Sequence, residues 1–527
     1  VTEEQLAAQA GSDAFDRLWR TDAIGRSGLE QYYDEQLRGT PSVTTLEVDT
    51  SGQITATLDQ KPAVSGNYLV STIDANLQAV VEEQLVAAVQ RAQGQGYLGD
   101  SGAAVVVDVR NGQVLAMASY PTYDPGIWVG GVTPKQYKSL IKSDSLASNT
   151  TQGLFAPGST YKVVSTAAAG EQGYSLYSDY ECPKNVKLGT QVFRNYESAA
   201  YGQISLARAL EVSCNTVFYG LADRMWESAG GNEATRDSAD PIADTASRFG
   251  FGTPTGIDLP GESAGRVAGR GFKVQNWEAK RDTWCENAIS GYPDTRKTDP
   301  KLADYFTALD KENCADGFRW REGDALNAAI GQGDTVVTPL QMAMAYSAIA
   351  NGGTVYEPRL IKAVVGSDGT VINRIEPSVK STLDLPKSTI KFLKDSLPGV
   401  TTDGSGKTPF LGFPLNKIPV ASKTGSAQVT GDKVSTSWFA SYAPANKPRY
   451  AVVMMVTQGG TGSQTSGPSV RKIYESLFGI NGKNINPNRS VLVDGEPLKS
   501  LPIIRPDGTP VAPKGKMSGV TTASGSD

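Results

Sequence analysis

Ser159 and Lys162 stand three residues apart in the stretch Phe155-Ala156-Pro157-Gly158-Ser159-Thr160-Tyr161-Lys162. The Pro157-Gly158 breaker followed by an apolar run predicts a loop opening into a helix, with the serine near its first turn. Residues three apart share a helical face, so the amine can reach the hydroxyl. A hydroxyl is a weak nucleophile until a base removes its proton, and this chain contains no histidine to do so. The missing histidine also removes Cys-His pairs and His-ligated zinc. A lysine whose pKa is lowered by burial or by a neighbouring cation is the base candidate that remains. Ser139/Lys142, Ser388/Lys391 and Ser469/Lys472 repeat the spacing, and any one copy alone reads as a capped helix with a surface lysine.

Chain order singles out the first of these copies. Ser213-Cys214-Asn215 follows the helical start Leu206–Val212, and Lys423-Thr424-Gly425-Ser426 opens a strand-like run. By itself the former is a helix-end turn and the latter an exposed strand-end lysine. Combined with Ser159 and Lys162 they complete an acyl-transfer set. Ser213 would shuttle a proton to a leaving amine. Asn215 would orient Lys162 and hold a substrate amide. Lys423 would lower the pKa of Lys162 by its charge. Thr424 and Ser426 would bind a terminal carboxylate, and Gly425 would let a substrate backbone lie close to the strand.

These residues need elements to position them. Thr72 to Leu77 opens a long helix with apolar positions Leu77, Val80, Val81, Leu85 and Val89. Ala103–Val109 and Val114–Ser119 flank Asn111-Gly112, a strong hairpin signal. Trp438–Tyr442 and the apolar run Tyr450–Val456 predict central antiparallel strands covered on both faces. Thr338 is a ready cap for an apolar helix starting at Pro339, and Arg471–Phe478 predicts a closing helix. Asp403-Gly404-Ser405-Gly406-Lys407-Thr408 resembles the end of a phosphate loop. Position 401 is Thr where that motif needs glycine, so a flexible loop is expected instead.

The expected domains are a partial N-terminal pedestal over 1–70, a catalytic domain over 71–480 and an extended or disordered tail over 481–527. The pedestal begins with an amphipathic helix to about residue 20 and includes a hairpin turning at Ser51-Gly52. The tail is rich in Pro, Gly and Ser. Residues 262–324 form a polar insertion without an assigned role. The net charge of −5 gives no case for nucleic acid, and no stretch is apolar enough to span a membrane. A start at Val1 suggests a trimmed product whose signal or anchor lies upstream. Cys285 and Cys314 bracket a polar segment that a disulfide could close, but spacing leaves that pair and two free thiols both open. Cys214, between Ser213 and Asn215, would place a thiol near the nucleophile.

The ordered motifs resemble the penicillin-recognising acyl-serine transferases. Longer strings make the chain similar to class B penicillin-binding proteins over about residues 20–480. They are the Gly25-Arg26-Ser27-Gly28-Leu29-Glu30 to Arg38-Gly39 segment, Thr72-Ile73-Asp74, Val107 to Ser119, Pro121-Thr122-Tyr123-Asp124-Pro125, and Gly331-Gln332-Gly333 with Thr338-Pro339-Leu340-Gln341. The resemblance is closest to the elongation type, penicillin-binding protein two. It implies an α+β fold, with an antiparallel sheet flanked by helices as in β-lactamases. It also implies a serine D,D-transpeptidase that needs no cofactor or metal and is a target of β-lactams. The main-chain amides of Ser159 and Ser426 would form its oxyanion hole. Expected partners are stem peptides ending in D-Ala-D-Ala and a lipid-II polymerase of the shape, elongation, division and sporulation family. The expected location is the extracytoplasmic face of a bacterial plasma membrane. A carboxypeptidase or β-lactam hydrolase, or a sensor that acylates without turnover, are the competing readings.

Overall fold

The computed structural model describes residues 23–428, 434–505 and 509–511. The helix expected over the first twenty residues lies outside them. Five strands build the central sheet: β1 (Gly102–Asp108), β2 (Val114–Tyr120), β3 (Ala421–Ala427), β4 (Thr436–Ala443) and β5 (Tyr450–Val456). They run antiparallel in the order β3-β4-β5-β1-β2, which leaves β3 as an edge. The Asn111-Gly112 turn joins β1 to β2 as expected, with Gly112 in the left-handed region at φ 73°.

The helices that position the site are α1 (Ala75–Gly94), α2 (Lys162–Glu171), α3 (Leu206–Glu211), α4 (Asn215–Ser228), α5 (Pro339–Asn351) and α6 (Ser466–Phe478). α1 and α6 cover one face of the sheet. Leu77, Val81 and Leu85 join Val470, Ile473 and Leu477 there, against Val106, Val452 and Met454. On the other face α2 and α5 pack Val163, Val164, Ala167, Leu340 and Met344 against Val105, Val107, Val453 and Met455. Alternate residues of β1 and β5 therefore enter different layers, and this is why both strands read as unbroken apolar runs. Caps start the long helices. Asp74 accepts from the amides of Asn76 and Leu77 (both 3.0 Å), and Thr338 forms a reciprocal capping box with Gln341.

The pedestal hairpin pairs Val43–Val48 with Ile54–Lys61. Two contacts tie the pedestal to the body. The Tyr33 hydroxyl donates to Asp258 (2.8 Å), whose carboxylate also accepts from the amides of Leu360 (2.6 Å) and Ile361 (3.0 Å). Tyr68–Ser71 then pairs with Ile361–Val365, so the expected boundary near residue 70 falls at a paired strand.

The insertion left without a role has a defined structure, and two expectations need correction. The polar insertion is largely helical, with Arg270–Ser290 and Pro300–Asp316 packed together and cross-linked by Cys285–Cys314. Its helices bury few side chains, so they lack the apolar stripe that would have marked them in the sequence. The tail is docked over much of its described length: Leu492 is buried beneath α6, and Ile504 packs with Val70, Ala363 and Val365. Its few apolar residues suffice because each fills a place on a surface already built. The segment 403–408 is an ordered turn, held by the amides of Ser405 on Glu211 O (2.9 Å) and Gly406 on Val400 O (2.9 Å).

Ile473 is fully buried between α6 and the sheet. Ile473→Ala should destabilise the protein by about 2–5 kcal/mol, read as a lower urea midpoint with an unchanged slope.

Candidate active site

Ser159 lies in a 3-10 turn, Gly158–Tyr161, that runs directly into α2 at Lys162. Side chains three apart eclipse in such a turn, which sets Lys162 behind Ser159. Close backbone contacts fix the turn. Gly158 sits at φ 55° and donates to Gly331 O (2.8 Å); a Cβ on Gly331 would lie 2.3 Å from the Gly158 carbonyl oxygen. The Trp438 indole donates to Ala156 O (2.9 Å), and the Tyr346 hydroxyl to Thr160 O (2.9 Å). With its amide oriented to satisfy both groups, Gln332 spans the main chain of Gln428 just past β3.

The second wall is the turn between α3 and α4. Ser213 takes a left-handed conformation there, at φ 60°. Asn195 holds the start of α4, its side-chain oxygen accepting from the amides of Asn215 (2.7 Å) and Thr216 (3.0 Å). The Asn215 amide nitrogen donates to Arg194 O (3.0 Å), which turns its oxygen toward Lys162. Cys214 is bonded to Cys182, so no free thiol stands beside the nucleophile. The side chain between Ser213 and Asn215 points into the core, where Cys182 meets it.

β3 forms the third wall. Lys423, Gly425 and Ala427 alternate onto the face that meets the serine turn. A Cβ on Gly425 would lie 3.0 Å from Pro157 O and 3.1 Å from Thr160 Cγ2. Gly425 therefore makes room for the serine turn, not for a substrate backbone. Thr424 and Ser426 alternate to the opposite side, and the Thr424 hydroxyl lies 2.6 Å from that of Ser405.

Ser213 is the meeting point. Lys162 Nζ contacts Asn215 Oδ1 (2.7 Å), Ser213 O (2.8 Å) and Ser213 Oγ (3.2 Å), while Lys423 Nζ donates to the same Ser213 Oγ (2.8 Å). Lys162, Ser213, Asn215 and Lys423 thus form one connected network. The Ser159 hydroxyl is outside it: among the described residues it has no hydrogen-bond partner. Two contributors carried no usable sequence signal. Asn195 is an isolated polar residue in a polar segment, and Ser405 sits in a motif resembling a phosphate loop.

The penicillin-binding protein transpeptidase domain matches residues 102–475, and the penicillin-binding protein dimerisation domain matches residues 1–71. This chain belongs to the penicillin-binding protein transpeptidase family. The peptidoglycan D,D-transpeptidase MrdA of Haemophilus influenzae is 28% identical over 88% of the chain. The chain spans only 64% of that relative's length. Among solved structures, Pseudomonas aeruginosa PBP2 in complex with WCK 5153 aligns with a TM-score of 0.64 and 26% identity, over 88% of this chain and 86% of that one. A peptidoglycan synthase complex that coordinates polymerization and crosslinking aligns with a TM-score of 0.66 and 26% identity, over 88% and 71%.

The electrostatics of this candidate site follow from burial. Lys162 and Lys423 are both fully buried. Desolvation first, and the charge of Lys423 second, hold Lys162 well below the ordinary lysine range. Burial pushes Lys423 down to about 7. Both shifts favour the neutral amine, and the Lys423 charge adds to the pull on Lys162. A neutral Lys162 donates to Ser213 O and Asn215 Oδ1 and keeps a lone pair for a hydroxyl proton. Acylation by penicillin should need no pH in the ordinary lysine range, because Lys162 is held well below it, and should fall as pH passes about 7 and Lys423 loses its charge. A stopped-flow pH series checks this, and a plateau extending well above neutrality would contradict it.

Proposed function

We propose that this chain is a serine D,D-transpeptidase that cross-links peptidoglycan stem peptides, and that β-lactams acylate the same serine. The observation that carries the reading is the Ser213 hydroxyl shared by two buried lysines beside the turn that presents Ser159. In the substrate complex the Ser159 hydroxyl turns to Lys162, a hydrogen bond that resting enzymes often leave unmade. Ser159 Oγ attacks the carbonyl of the penultimate D-Ala while Lys162 takes its proton. The amides of Ser159 and Ser426 hold the oxyanion. Collapse breaks the peptide bond, and the departing D-Ala amine receives a proton from Lys162 through Ser213. The ester left on Ser159 is then attacked by the amine of a second stem peptide. Its proton returns to Ser159 by the same route.

Thr424 and Ser426 bind the terminal carboxylate, aided by the Lys423 charge. The open edge of β3 suits an extended peptide, which can pair with its free main-chain groups. The family assignment and the likeness to MrdA and PBP2 support an elongation role at the extracytoplasmic face of a bacterial membrane, beside a lipid-II polymerase. The aligned peptidoglycan synthase complex supports that pairing.

Fluorescent penicillin should label the wild type and leave Ser159→Ala unlabelled, with mass spectrometry placing the adduct on Ser159. With lipid II and a polymerase, only the wild type should yield cross-linked dimers. Label on another residue overturns the assignment. Rapid loss of label, without dimers, would replace transpeptidation by hydrolysis.

A further inference from the structure

We propose that Ser405 is a positioning residue for substrate recognition, aiming the Thr424 hydroxyl at the terminal carboxylate of the donor peptide. The inference rests on the carboxylate role given above to Thr424. The two hydroxyls lie 2.6 Å apart. Each has one hydrogen and can accept others. When Ser405 donates, Thr424 Oγ1 is the acceptor and its own proton is free to point into the cleft at an anion. A hydroxyl that already accepts a hydrogen bond is also the better donor.

Ser405 is held for this task on both sides. Its amide donates to Glu211 O (2.9 Å), the last residue of α3 and two residues before Ser213. A Cβ on Gly404 would lie 2.3 Å from that same carbonyl oxygen, and one on Gly406 would lie 3.2 Å from Val400 Cγ1. The turn is pressed against its neighbours at both glycines, and Ser405 between them supplies the side chain that reaches β3. Its backbone is thus attached to the Ser213 wall and its hydroxyl to the Lys423 wall. The segment closes one end of the cleft and sets the distance between the two halves of the site.

The test compares second-order acylation rates by penicillin G and by its methyl ester, which has no carboxylate charge, in wild type, Ser405→Ala, Ser405→Thr and Thr424→Val. Ser405→Ala should slow acylation by the free acid roughly fivefold and leave the ester nearly unchanged. Ser405→Thr, which keeps the hydroxyl, should restore the free-acid rate. Equal losses with both ligands would overturn the proposal, because the residue would then be holding the turn and not the carboxylate. No loss in Ser405→Ala, alongside a selective loss in Thr424→Val, would overturn it and leave the carboxylate role of Thr424 standing. No selective loss in either variant would remove both.

Discussion

Two lysine amines buried around one serine hydroxyl form the constraint on which this molecule depends. An ammonium group taken out of water without a counter-charge is costly, and among the described residues no carboxylate bonds to either amine. Losing a proton relieves much of that cost, and repulsion between two neighbouring ammonium groups adds to the pressure for it. Lys162, enclosed by the Ser213 and Asn215 oxygens and the Phe218 ring, is held well below the ordinary lysine range by burial first and by the Lys423 charge second. In the unfolded chain both amines would be protonated up to the ordinary lysine range. The unfolded state therefore binds more protons, and the pair subtracts from stability near neutral pH, by less as pH rises toward that range. The fold supplies this from its large two-layer core, so reactivity at Ser159 is maintained by apolar packing well away from it.

The contact of Lys423 with Ser213, and the packing of the Ser159 turn on β3, require segments of backbone to approach more closely than side chains usually permit. Glycine meets that need at 158, 331 and 425, where a Cβ would press on a neighbouring main chain or side chain. Ser213 has no such freedom, since it keeps its side chain and still adopts a left-handed backbone. The surroundings hold it there: Asn195 grips the residues after it, and the Cys182–Cys214 bond fixes the residue between Ser213 and Asn215.

Much of this was legible from the chain itself. The strands around Val105 and Val453 were marked by composition, and α1 and α5 by periodicity and caps. The reacting set was marked by the absence of histidine, which left lysine as the base, and by the order of the three motifs. What stayed hidden depends on which neighbour fills a space. Nothing in the Lys423-Thr424-Gly425 string says whether its glycine yields to a substrate or to Pro157, and only the packed structure assigns it to Pro157. The pairing of Cys214 was hidden because its partner lies in a strand with no motif. The helices at 270–316 were hidden because they bury little, and the tail because it docks through a few separated residues.

The position of β3 has a consequence for the solubility of the molecule. A sheet edge with unpaired main-chain groups invites other chains to add to it, and soluble proteins commonly protect such edges with charge, proline or a bulge. Here six of the seven residues of β3 are buried, and the serine turn packs on Gly425 and Ala427. The turn is packed against the face of the strand, so only the free edge is left for an extended segment to pair with. The wall that stands beside Ser159 thereby refuses the broad β-surfaces that seed aggregates.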